Sequence, residues 1–307
     1  MNRIVITLII ALVAFPAVAL AAGQGADPGL KRFADPALLT GMLVMSLLLI
    51  SWWQRIQQRA LPTRPVFCPW TALDALLASA VFVLLLILLG AAAQACSAPG
   101  ETTLMKSLVA PISGIITVTL ILVVLHRRYG LWPRDLGLTF DRWPSALLLA
   151  AGLVVFLFAL QAPMGQFFVY LHEHTHTPMK QQEVVERIRH ASSWWEFGGY
   201  VFLAVVAAPL WEEIAFRGFL QPLFRSYLGA PTAIGVTAVV FALVHEPSSN
   251  FFMVPIMIFP VGLALSYAYE RTQRLSTCIM LHMLFNGLPM GLVFLGRLLN
   301  SPVPGTQ

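Results

Sequence analysis

The sequence predicts an all-α, polytopic integral membrane helical bundle of about eight transmembrane helices, preceded by a signal-like segment. Three observations carry this. Of the 307 residues, 58% are hydrophobic and only 11% are charged, whereas soluble domains carry about 25% charged residues. The mean hydropathy is +0.77. The apolar residues come in long runs, and arginines collect between alternate runs.

The elements follow in order. Arg3 precedes an apolar stretch from Ile4 to Leu20, and the small residues Ala17, Ala19, Ala21 and Ala22 follow. Residues 1–22 therefore read as a signal peptide with an A-x-A-like cleavage region, or else as a first transmembrane helix. Gly23 to Asp35 then reads as a polar exported segment. Eight further runs cover Ala37–Trp53, Ala72–Gln94, Leu104–His126, Ser145–Leu171, Phe197–Leu210, Pro231–His245, Phe251–Tyr269 and Thr277–Leu298. A spanning helix needs about 20 apolar residues. Pro231–His245 is short for that, and charge interrupts the apolar Phe197 run, which continues into a polar helix. The division expected is 23–135 for the N-terminal helices, 136–298 for a functional core and 299–307 for a disordered tail.

Arginine marks every second loop: Arg55, Arg59 and Arg64, then Arg127, Arg128, Arg134 and Arg142, then Arg217 and Arg225, then Arg271 and Arg274. These loops are expected to be cytoplasmic, as in a bacterial inner membrane protein with both mature termini outside. The net charge of +5 is explained by these loops. No basic face with interleaved aromatics exists, so no nucleic-acid partner is expected; the partners expected are the lipid bilayer and a membrane-associated peptide or protein. Trp52, Trp53, Trp194 and Trp195 read as interfacial anchors. Cys68, Cys96 and Cys278 are too far apart for a metal-type pair.

The longest outside loop is His172 to Glu196. Its His172, Glu173, His174 and His176 are ligand-type side chains, but period-two spacing suits an extended, solvated loop better than a metal site.

Three patterns place ionisable groups inside apolar helices: Glu212-Glu213-x-x-x-Arg217, Phe241-x-x-x-His245 and His282-x-x-x-Asn286. A charge at membrane depth costs about 2.5–3.5 kcal/mol and is a functional-site hypothesis by default. Glu213 and Arg217 share a helix face at i,i+4 and can pair. Glu212 is rotated by about 100° and is free to face a cavity. Together with His245, His282 and Asn286 it supplies a base, a proton-sharing imidazole and two hydrogen-bond donors. Those parts can activate water and stabilise an oxyanion. Taken singly, each pattern also has a plain structural reading: a charge-paired interfacial helix, packing histidines, or an asparagine as interhelical glue. One difficulty stands: a helix starting at Pro231 on the cytoplasmic face puts His245 about 21 Å deep, while Glu212 and His282 are expected nearer that face.

In this order, on successive hydrophobic segments, the three motifs closely resemble the CPBP family of CAAX-type prenyl endopeptidases and Abi-like proteins. The resemblance covers about Phe197 to Leu298, and the stretch Leu136-Gly137-Leu138 is similar to the lead-in to that family's core. It implies an eight-helix intramembrane peptidase with Glu212 as general base and His245 helping to activate water. It further implies His282 and Asn286 as oxyanion stabilisers, with Glu213, Arg217 and Phe241 in support. Glu212, His245 and His282 could in principle hold zinc. With no H-E-x-x-H and with Asn a poor zinc ligand, no metal or other cofactor is the favoured reading. The alternatives are a non-catalytic immunity or scaffold protein, or a transporter; the latter often shows paired halves, and this chain shows none.

Overall fold

The computed structural model describes residues 68–96, 104–175, 187–188, 191, 193–245 and 253–300. The segment 1–22, the run Ala37–Trp53, Trp52, Trp53, His176 and residues 301–307 lie outside the described residues. Seven long helices appear among the described residues. They are α1 (Ala72–Ala95), α2 (Leu104–Tyr129), α3 (Trp143–Thr175), α4 (Trp194–Leu228), α5 (Ala230–Leu243), α6 (Met253–Thr272) and α7 (Leu275–Asn300). Five of them, α1 to α4 and α7, are long and apolar enough to cross a membrane. No strand occurs among the described residues. The chain is a polytopic helical membrane protein.

α1 is apolar all round, and in its most apolar stretch nothing is buried. Leu76 and Ile87 are 68% and 61% exposed, a surface that suits lipid rather than water. The Thr71–Asp74 capping box starts this helix, and Asp74 pairs with Arg128 at the end of α2 at 3.0 Å. Just before it, Trp70 donates its indole N–H to the carbonyl of Phe219 at 3.0 Å and stacks on that ring.

α4 to α7 form the core with α3. α5 and α6 approach closely because Gly262 lies against the backbone of Ala238; a Cβ on Gly262 would sit 3.0 Å from Ala238 Cα. α2 meets α4 where the Trp211 ring covers Gly114, which has room for no side chain. A polar stripe runs down α4 toward α6. Arg217 donates to the carbonyl of Gly262 at 3.2 Å, Gln221 to that of Ser266 at 3.0 Å, and Arg225 pairs with Glu270 at 3.0 Å. Each step advances four residues on both helices, so α4 and α6 run parallel, and these groups find partners away from lipid.

The loops 128–142 and 271–276 close one end of the bundle. Leu275 donates its N–H to the carbonyl of Gly137 at 2.8 Å. Gly137 has φ +92 and its position leaves no room for a Cβ, so only glycine fits there. Arg274 pairs with Asp141 at 2.5 Å. The Thr139 hydroxyl beside Asp141, together with Arg274, holds that exposed carboxyl below the usual carboxylate range.

The apolar run from Phe197 continues into a polar helix as expected: α4 extends for 35 residues, with Glu213 and Arg217 paired inside it. One expectation is corrected. The stretch from His172 is not extended loop, since α3 stays helical through Thr175.

Candidate active site

Two short segments of α4 that flank the glutamates are wound as π-helix, Leu203–Ala207 and Ile214–Leu220. A proline follows each, Pro209 and Pro222, and proline has no N–H to return to the preceding turn. In the first segment Ala208 N–H bonds back to Leu203 O. That register would hand Ala204 O to residue 209, which is proline. Asn286 of α7 takes its place, donating Nδ2–H to Ala204 O at 2.9 Å. π-Segments of this kind concentrate at functional sites.

Between the two segments Glu212 and Glu213 point to different partners, as the helix geometry predicts. Glu213 is fully buried and accepts from Arg217 at 3.0 Å. It also accepts from His282 Nδ1 at 2.8 Å, a contact the sequence did not indicate, because it joins residues on two helices. Arg217 is fully buried too and lies 4.3 Å over the Phe241 ring. Glu212 faces the cavity. Its Oε2 lies 3.5 Å from His245 Nε2 and 3.9 Å from His282 Nε2, separations too long for good hydrogen bonds. That oxygen is buried without a hydrogen bond in the protein.

His245 sits just past the C-terminus of α5. Its Nδ1–H donates to the carbonyl of Phe241 at 2.6 Å, so in the neutral ring Nε2 is an acceptor. Phe241 thus acts through its backbone as well as its ring. The ring is 1% exposed and packs against His245 and His282 at 4.4 and 5.9 Å between centroids. His282, with Nδ1–H given to Glu213, can donate from Nε2 only as an imidazolium.

Glu212, Phe241, His245, His282 and Asn286 all line one cavity of about 570 Å³. The structure therefore brings together every residue singled out from the three motifs. It also removes the depth difficulty. Gly218 of α4 packs on Leu275, the first residue of α7. α4 runs on from there for about ten residues, or about 15 Å. The turn at Gly229 thus projects beyond the end of α7, and His245, far along the returning α5, comes level with Glu212.

Among the described residues no group of three His, Cys, Asp or Glu side chains has the geometry to hold a metal ion.

Residues 194–288 match the family model described as Type II CAAX prenyl endopeptidase Rce1-like. A stretch of 94 residues is 34% identical to the membrane-embedded CAAX protease MroQ of Staphylococcus aureus (strain USA300), covering 29% of this chain and 36% of that protein. The match thus spans about a third of the length of that relative. No solved structure matches the chain.

Proposed function

For a chain that belongs to the CAAX-protease (CPBP) family, we propose the activity of an intramembrane endopeptidase that hydrolyses a peptide bond of a membrane-associated substrate. The observation that carries this reading is Glu212 Oε2, buried in the cavity without a hydrogen bond and faced by two imidazole Nε2 atoms at 3.5 and 3.9 Å. Glu213, by contrast, spends its Oε1 on Arg217 and His282 at 3.0 and 2.8 Å.

The proposed mechanism uses a water held between Glu212 Oε2 and His245 Nε2. Glu212 takes its proton as the oxygen attacks the scissile carbonyl. His245 accepts the second hydrogen bond and so aims a lone pair of the water. The oxyanion that forms is met by the Nε2–H of an imidazolium His282, whose positive charge Glu213 supports. The remaining N–H of Asn286 is the second donor. Glu212 then returns the proton to the departing amine. The peptidase unit is taken as residues 136–298, in the inner membrane of a bacterium. In this reading the site works without a metal ion or other cofactor.

The test is cleavage of a membrane-peptide library by purified protein, wild type beside Glu212→Gln, with and without a strong chelator. The expected result is wild-type cleavage that survives the chelator and falls by about 10²–10⁴-fold or more in the variant. Loss with chelator would instead assign zinc to Glu212, His245 and His282. Full activity of Glu212→Gln would sink the mechanism, and a folded protein with no cleavage would favour a non-catalytic immunity or scaffold role.

A further inference from the structure

α3 runs apolar for a long way before it meets a polar side chain. Residues 146 to 160 carry none, and Gln161 follows them. It lies within Trp143–Val169, the part of α3 apolar enough to cross a membrane. A glutamine there needs hydrogen-bond partners inside the bundle, because lipid offers none. One end of its amide has a partner: Nε2–H donates to the carbonyl of Met257 on α6 at 2.9 Å. A carbonyl oxygen only accepts, so this bond also decides which way round the amide lies. The other end, Oε1, accepts no hydrogen bond among the described residues.

Gln161 lines the cavity that holds Glu212. Phe158, three residues earlier on the same face of α3, lines it too and stacks on Phe285, the neighbour of Asn286, at 5.1 Å. The rest of the lining from α3 and α6 is Met257, Ile258 and Val261, all apolar. This wall therefore offers a substrate one side-chain acceptor, already oriented by the Met257 carbonyl. The other polar groups are engaged in the proposed mechanism: Glu212 and His245 hold the attacking water, and His282 and Asn286 meet the oxyanion.

An apolar peptide that enters the cavity leaves water behind, and every main-chain N–H it buries without an acceptor weakens binding. We infer that Gln161 is a substrate-positioning residue, whose Oε1 accepts one main-chain N–H of the peptide and so fixes how the chain lies against Glu212. Because the contact is to the main chain, it serves a substrate whose own side chains are all apolar. This rests on the reading of the cavity as a peptidase site and adds how that site grips an apolar segment.

The experiment is peptide binding to the full chain in detergent, in a Glu212→Gln background that stops hydrolysis in the proposed mechanism. The probe is the apolar library peptide that this protein binds most tightly, labelled with fluorescein. Beside it stands a series in which one backbone amide at a time is replaced by an ester, which keeps the chain geometry but has no N–H. An ester at one position is expected to weaken binding about 2–10-fold, the worth of one neutral hydrogen bond. With Gln161→Met added, that ester is expected to cost no affinity, while esters elsewhere keep their effects.

A flat ester series in the protein that carries Gln161 overturns the inference before any variant is needed, as does a library from which no peptide binds. A sensitive position that persists in Gln161→Met overturns it too. A lowered thermal midpoint in Gln161→Met with an unaltered ester series would leave Gln161 as a tie between α3 and α6 and nothing more. None of these readouts needs cleavage. A sensitive amide lost with Gln161, in a chain whose Glu212 form hydrolyses nothing, would fault only the peptidase reading. Hydrolysis with a flat ester series would fault only the role of Gln161.

Discussion

Glu213 joins three helices through one oxygen. Its Oε1 receives Arg217 of its own helix at 3.0 Å and His282 of α7 at 2.8 Å, and Arg217 goes on to the Gly262 carbonyl of α6. All of this lies away from solvent and lipid. Removing one partner of a buried charge pair costs about 3–5 kcal/mol, because the other charge is left uncompensated. Glu213→Gln is expected to lower the thermal midpoint in detergent and also to slow hydrolysis, since His282 loses the acceptor that fixes its ring. A variant with normal stability would remove the structural role. Normal stability and normal rate together would remove both. Glu212→Gln is expected to behave oppositely, with stability unchanged and hydrolysis lost, because its Oε2 makes no bond that folding depends on.

At the scale of the element, the winding of α4 decides where the site residues point. Pro209 leaves Ala204 O without a helical donor, and Asn286 fills that role at 2.9 Å. Pro209→Ala restores an N–H that competes with Asn286. The expected outcome is an unchanged or raised thermal midpoint with reduced hydrolysis, since the helix gains a bond while the asparagine is released. Reduced stability at full activity would argue against this account of the π-segment. The α5–α6 crossing makes a second demand. A methyl at Gly262 would press on the backbone of Ala238 at 3.0 Å, and backbone cannot swing aside as a side chain can. Gly262→Ala is expected to cost about 1–3 kcal/mol, read as a lowered midpoint in detergent.

For the whole molecule, the three cysteines give a simple check of the arrangement. Cys96 is exposed, Cys68 is half-buried and Cys278 is fully buried. Burial pushes the Cys68 thiol up to about 11, so little thiolate is present near neutral pH. In detergent, maleimide is expected to modify Cys96 quickly, Cys68 slowly with a rate that rises steeply with pH, and Cys278 only after denaturation. Rapid modification of Cys278 would contradict the packing of α7 against α6, where its thiol points at Leu265 O at 3.4 Å.

Hydropathy and the three motifs were enough, in the sequence alone, to read a polytopic membrane bundle and to name five of the residues that line its cavity: Glu212, Phe241, His245, His282 and Asn286. This works because burying charge in an apolar helix is costly, so Glu212, His245 and His282 stand out against their surroundings without any coordinates. The i,i+4 pairing of Glu213 with Arg217 was legible for a similar reason, since it depends only on helix geometry. Tertiary structure alone decided the rest. The bond from Glu213 to His282 spans 69 positions, and that from Asn286 to Ala204 spans 82; no local pattern encodes such a pairing. The level at which His245 meets Glu212 likewise depends on how separate helices slide against one another. That is set by close approaches such as Gly218 on Leu275 and Gly262 on Ala238, which exist only once the chain has packed.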